Sequence, residues 1–167
     1  MRRILITGMS ATGKSTVIEE LQARGYKAVD TGWDPEWEEP DSDPAHGSGW
    51  VWREDRIQEL LSTEDAEVLF VSACVPNQGR FYTRFDRVIL LSAPEAVIVE
   101  RLRKRTNNPY GKTPEELAEV LRNKAEVEPR LRQGASLEID TSVPVATVIA
   151  AVLETIDPRR KNTEGQG

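Results

Sequence analysis

An internal disulfide is excluded at once, because the chain has one cysteine, Cys74, and a bridge needs two. One histidine, His46, is too few to join it in a His/Cys zinc site. No apolar run approaches the roughly 18 residues of a membrane-spanning helix. The opening Met1-Arg2-Arg3-Ile4-Leu5-Ile6 has an apolar stretch too short for a secretory leader, and it runs into a glycine loop. A basic excess is also missing: 22 Lys and Arg against 28 Asp and Glu leave a net charge of −6. That balance speaks against non-specific nucleic-acid binding. Together these absences predict a cytoplasmic protein with neither membrane nor nucleic-acid partners.

What remains is a chain of 167 residues, 38% hydrophobic and 30% charged, the composition of about one globular domain. The charge is uneven. Asp34, Glu36, Glu38, Glu39, Asp41 and Asp43 crowd into ten positions, with Trp33, Trp37, Trp50 and Trp52 around them. Arg101, Arg103, Lys104 and Arg105 form a basic run. Taken alone, either run reads as a solvated face.

Apolar periodicity gives the elements. Arg3 to Thr7 is a β-branched run ending at Gly8 and predicts a buried strand. Lys14 to Arg24 carries Val17, Ile18 and Leu21 at helical spacing and stops at Gly25. Tyr26 to Val29 predicts a second strand ending at Asp30. Residues 31–52 read as a loop or insertion. Arg53 to Leu61 predicts a helix, and Glu67 to Ala73 and Arg87 to Leu91 two more strands. Ser92 stands three residues before Glu95 as a helix cap, and Thr113 before Glu116 as another. Pro129 is expected to interrupt or kink the second of these helices. Ser136 to Ile139 and Val145 to Ile156 predict a last strand and helix. Cys74 reads as a small buried residue.

Alternating strands and helices imply an α/β fold: a five-stranded parallel sheet with helices on both faces. Residues 1–156 would form one domain and 157–167 a flexible tail.

One motif carries chemistry. Gly8-Met9-Ser10-Ala11-Thr12-Gly13-Lys14-Ser15 fits G-x-x-x-x-G-K-[ST], the P-loop, with a strand before it and a helix after. Backbone N–H groups of such a loop cradle phosphate oxygens, and the helix N-terminus adds its positive end. Gly8, Ser10, Ala11, Thr12, Gly13, Lys14, Ser15 and Thr16 are therefore the predicted ATP cradle. Lys14 would reach the β- and γ-phosphates, and the Ser15 hydroxyl would ligate Mg²⁺.

From this motif onward, the chain resembles the small-molecule kinases of the shikimate kinase and nucleoside monophosphate kinase group. The resemblance implies a P-loop NTPase three-layer sandwich that transfers the γ-phosphoryl of Mg·ATP to a small acceptor. Val29-Asp30-Thr31-Gly32 matches the strand end whose Asp helps hold Mg²⁺, so Asp30 would join Ser15 there. Gly32 stands where shikimate kinases place a second Asp, which shifts the acceptor-side carboxylate to Asp34. Trp52-Arg53-Glu54-Asp55 resembles a helix start with an anion-clamping arginine, Arg53. The glycine triplet of shikimate kinases is replaced by Cys74-Val75-Pro76-Asn77-Gln78-Gly79-Arg80, where Gln78 and Arg80 would contact the acceptor. The resemblance places Arg101 on the adenine and Arg105 at the start of a short lid, residues 105–113. Lys14, Asp30 and Arg105 would form the catalytic set. Ile139-Asp140-Thr141-Ser142-Val143-Pro144 resembles the adenine loop, giving Thr141 and Pro144.

The acceptor stays open at this point: a nucleoside monophosphate, a hydroxy acid, a sugar, or a neutral or cationic polyol. So does a second class, a regulatory P-loop ATPase whose tryptophan-rich acidic segment meets a protein partner. A GTPase is disfavoured, because no Asn/Thr-Lys-x-Asp sequence occurs.

Overall fold

The computed structural model describes residues 1–43, 49–106 and 108–157. His46, Asn107 of the lid segment and residues 158–167 of the expected tail lie outside them. At the centre is β1 (Arg2–Thr7), whose Ile4, Leu5 and Ile6 are fully buried. Its alternation sends Ile4 and Ile6 to one face and Leu5 to the other. Both faces are apolar because both are covered.

The remaining sheet strands are β2 (Lys27–Asp30), β5 (Val68–Ser72), β6 (Arg87–Ser92) and β7 (Leu137–Asp140). All pair in parallel, in the order β2-β5-β1-β6-β7. The loop after β1 therefore leaves the middle of the sheet, where the chain winds off in both directions. Ligands bind at such a switch point in open α/β sheets.

Two helices, α1 (Lys14–Ala23) and α5 (Val145–Glu154), close the Ile4/Ile6 face with Val17, Ile18, Leu21, Val148, Ile149 and Val152. Helix α2 (Glu54–Leu61), Trp52, Phe81 and Phe85 close the Leu5 face. Two further helices, α3 (Glu95–Lys104) and α4 (Pro114–Gly134), pack on each other through Ile98, Leu102 and Val120. Leu131 of α4 rests on Leu90. No described helix is long and apolar enough to cross a membrane.

The structure departs from the sequence reading in four places. The 31–52 stretch contains a hairpin, β3 (Glu38–Pro40) antiparallel to β4 (Trp50–Trp52). Strands of three residues are too short to show a period of two. A 3-10 segment, Gln78–Arg84, follows β5 and brings Phe81 into the core. Ser92 caps no helix; it ends β6 and its hydroxyl donates to Glu138 at 2.8 Å. Helix α4 runs through Pro129 without interruption, with Glu128 and Leu131 buried beside it. The Thr113 cap is present, with its hydroxyl accepting from Glu116 N at 3.2 Å.

The hairpin is pinned to the sheet through one side chain. The fully buried Trp52 donates its indole N–H to Thr31 Oγ1 at 2.9 Å, and Thr31 donates to the Ser72 carbonyl at 2.7 Å. Asn77 accepts from Trp52 N and donates to Trp52 O, both at 3.0 Å. The indole also meets Phe81 edge-on at 5.6 Å. Trp52→Ala should cost about 3–5 kcal/mol through the cavity and the orphaned polar groups. Urea unfolding checks this: the midpoint should drop while the slope is kept.

Candidate functional site

The loop between β1 and α1 turns on a close approach. A Cβ on Gly8 would stand 2.5 Å from the Leu91 carbonyl oxygen and 2.7 Å from Thr12 Oγ1. Only a glycine fits there. Ala11 (φ 63°) and Gly13 (φ 96°) hold left-handed conformations that bend the loop into a concave nest. Thr12 is buried, with its hydroxyl on the Met9 carbonyl at 2.8 Å.

Lys14 folds back over the loop. Its ammonium donates to the carbonyls of Gly8 (2.6 Å) and Met9 (3.0 Å). Burial lowers its pKa from the ordinary value, against the opposing pull of Cys74, Asp30 and Glu38. Ser15 Oγ donates to Asp30 Oδ2 at 2.7 Å. The other Asp30 oxygen accepts from Ser72 Oγ (3.1 Å) and Gly32 N (3.1 Å). The hydroxyl and the carboxylate are hard oxygen donors beside the nest, the set that suits Mg²⁺. Among the described residues no three His, Cys, Asp or Glu gather as a metal cage.

These residues open into a cleft of about 1540 Å³. On the β6/β7 side its wall is apolar and basic: Ala96, Val97, Arg101, Thr141, Val145 and Val148. Arg101 fastens this wall to the loop, donating to the Ala11 carbonyl (3.0 Å), Thr141 Oγ1 (2.9 Å) and the Thr141 carbonyl. Thr141 Oγ1 in turn donates to the Thr12 carbonyl at 2.7 Å. Pro144 caps α5 and does not line the cleft.

Over the top, Arg105 donates to the carbonyls of Asn108 (3.1 Å) and Tyr110 (2.6 Å), so the basic side chain shapes the turn it belongs to. Burial lowers its pKa from the ordinary value. Tyr110 donates to Glu119 at 2.7 Å, and burial with that bond pushes its phenol up to about 12.

On the β2/β5 side the wall is different: Asp30, Trp33, Glu38, Pro40, Trp50 and Cys74. The four residues assigned to the acceptor by sequence do not line it. Asp34 is drawn into the local turn, accepting from Glu36 N at 2.9 Å through its side chain and from Glu38 N at 2.8 Å through its carbonyl. Arg53 donates to the Pro35 carbonyl at 3.2 Å. Gln78 is buried among Val75 N, Thr7 and Tyr82, each at 3.0 Å. Arg80 pairs with Glu54 at 3.2 Å on the surface. Cys74 is exposed rather than buried, because it follows the point where β5 leaves the sheet.

The carboxylate that this segment delivers to the cleft is Glu38, one turn beyond Asp34. It is 6% exposed. Burial, with Asp30 and Asp34 nearby, pushes its carboxyl up to about 7, against a backbone hydrogen bond from Trp33 and the Lys14 charge. Sequence reasoning missed Glu38 because it is one of six acids in ten positions. The available signal was its place between Trp37 and Pro40, opposite the apolar Trp50-Val51-Trp52.

The AAA domain family matches residues 4–122. The chain belongs to this family. Among solved structures, this AAA domain is similar to shikimate kinase from Acinetobacter baumannii in complex with shikimate, at 20% identity and TM-score 0.65, covering 93% of each chain. It is similar also to a gluconokinase from Sinorhizobium meliloti 1021, at 21% identity and TM-score 0.60, covering 99% of this chain and 97% of that one. A third is deoxyadenosine kinase from M. mycoides with bound dATP, at 17% identity and TM-score 0.58, covering 93% and 99%. The fold is that of the small P-loop kinases. A curated nucleotide-binding protein of Pseudomonas savastanoi pv. phaseolicola is 28% identical, across 85% of this chain and 50% of that protein. The chain thus spans about half the length of the curated relatives it matches.

The Glu38 carboxyl gives a pH prediction. Its folded pKa of about 7 lies above the ordinary 4.5, so the folded chain keeps a proton that the unfolded chain releases. Its contribution to stability is present at low pH and declines as pH rises from 4.5 through about 7. Glu38→Gln cannot ionise, so its stability relative to the parent should rise by about 1–3 kcal/mol between roughly pH 5 and pH 8. Paired urea titrations at the two pH values read this directly.

Proposed function

We propose that this domain is an ATP-dependent phosphotransferase acting on a small-molecule acceptor. The observation that carries the reading is the two-sided cleft. A phosphate nest at the centre separates an apolar, arginine-bearing wall from a carboxylate-bearing one. A nest alone serves any nucleotide-binding protein; a second, chemically distinct half provides room for a phosphoryl acceptor.

In this reading the γ-phosphorus lies between the halves. An acceptor hydroxyl oxygen forms the new P–O bond as the bond to the β–γ bridging oxygen breaks. The electron pair leaves with ADP, and the hydroxyl proton leaves to a carboxylate or to water. The transition state is loose, so positioning and charge neutralisation dominate. Gly8 to Thr16 hold the phosphates. Lys14 exchanges its two loop carbonyls for β- and γ-phosphate oxygens. Arg101 and Thr141 border the base, and Val97, Val145 and Val148 give it an apolar bed. Ser15 and Asp30 would hold Mg²⁺, which would supply charge neutralisation for the phosphates. Arg105 neutralises the phosphoryl group in transit. The 105–113 turn acts as a short lid that keeps water from the reacting phosphate. Residues 1–156 act as one domain, in the cytoplasm.

The second reading is a nucleotide-binding regulatory ATPase, favoured by the description and greater length of the curated relatives. Acceptor dependence separates the two. ADP release from Mg·ATP should rise many-fold with one of several acceptor pools and yield a phosphorylated product. Lys14→Ala should reduce that turnover at least about 100-fold. An acceptor-independent rate yielding only inorganic phosphate would favour the regulatory reading, and full activity in Lys14→Ala would end the phosphotransferase one.

A further inference from the structure

The chemistry of the acceptor half restricts what can occupy it. Among the described residues, the basic side chains lining the cleft are Lys14, Arg101, Lys104 and Arg105, and all belong to the P-loop, α3 or the turn after it. The chain carries no Lys or Arg between Lys27 and Arg53. Neighbouring arginines face elsewhere: Arg53 to the Pro35 carbonyl, Arg56 to Glu36 and Glu59, and Arg80 to Glu54. Among the described residues, an anionic acceptor would find no guanidinium fork on this wall, though such forks are the usual partner of a carboxylate or phosphate.

What the wall offers is two carboxylates and two indoles. Glu38 is buried, and a buried carboxylate has several acceptor sites to fill. Once ionised, above about pH 7, this carboxylate only accepts, so hydroxyl or ammonium donors fill those sites and anions do not. Trp33 is 75% exposed and Trp50 40% exposed, in contrast to the buried Trp52. Trp33 also holds φ 60°, a left-handed conformation that a bulky side chain rarely adopts. Strain of this kind gathers at ligand clamps. An indole face carries negative charge density, which attracts C–H edges and cations and repels anions.

We propose that the acceptor half takes a hydroxyl compound bearing no negative charge, read by the carboxylate of Glu38 and the indoles of Trp33 and Trp50. This inference rests on the phosphotransferase reading and names its substrate class, a neutral or aminated polyol. Glu38 acts as the positioning residue that reads charge. Sugar acids, hydroxy acids and nucleoside monophosphates fall outside the class.

The test sorts acceptors by charge. The full chain is offered three pools: sugar acids, hydroxy acids and nucleoside monophosphates; sugars, polyols and nucleosides; amino sugars and amino alcohols. ADP release from Mg·ATP is measured, and so is quenching of tryptophan fluorescence in the ADP-loaded protein. The neutral or cationic pool should act at least about tenfold more effectively than the anionic one. In Glu38→Gln that preference should shrink at least about tenfold, a change that loosened folding alone does not produce. If Glu38→Gln does not fold, Trp33→Leu should lower the response to the favoured pool by about the same factor.

An anionic pool acting best overturns the inference, as does a charge preference unchanged in a folded Glu38→Gln or the absence of saturable quenching by any pool. Quenching by the favoured pool without acceptor-dependent ADP release leaves the binding class standing and sinks phosphotransfer.

Discussion

The site depends on one steric fact: the chain passes the end of β6 with no side chain to spare. Gly8 lies against the Leu91 carbonyl so closely that a single added carbon would overlap it. Because that position is bare, the loop can curl back over the sheet's centre instead of splaying outward. The nest, the fold-back of Lys14 and the 2.7 Å approach of Ser15 to Asp30 all follow from that curl. Arg101 then locks it from the side through Ala11 and Thr141. Loop and adjoining wall are thus tied together by side-chain hydrogen bonds.

Around that cradle the electrostatics are divided. Basic groups concentrate on α3 and the turn after it; acidic groups concentrate on the segment after β2. The division is inherited from topology. Segments that follow β6 and β7 enter the cleft from one flank of the central loop, and those that follow β2 and β5 from the other. A chain with net charge −6 thereby keeps a positive phosphate pole next to a negative wall.

Much of this was legible in the residues. Ile4-Leu5-Ile6 followed by Gly8 and Lys14-Ser15 is a run whose geometry and chemistry coincide, so strand, nest and helix could be read together. Asp30 was readable because it ends a strand. The wall on the β2/β5 side was not. Asp34 and Glu38 are both acids in a polar stretch, and what separates them is one turn in which the Asp34 carbonyl takes the Glu38 N–H. Gln78 and Arg80 carry suitable chemistry, but their directions are fixed by partners distant in sequence, Thr7 and Glu54. Local spacing holds no record of such contacts. Of the four tryptophans, Trp52 belongs to the core while Trp33 and Trp50 meet the cleft, a split that composition cannot show.

The anchoring of the hairpin has an evolutionary consequence. Trp52, Thr31 and Asn77 hold its base to the sheet, whereas Glu38, Pro40 and Trp50 present its other surface to the cleft. Support and presentation are thus written in largely separate residues of one short insertion, with the buried Glu38 serving both. Replacements at the exposed presenting positions, Pro40 and Trp50, alter the lining of the cleft while the hydrophobic interior and the phosphate nest stay as they are. Such a separation lets a lineage reshape one wall of the cleft by small steps, each leaving a folded protein behind it.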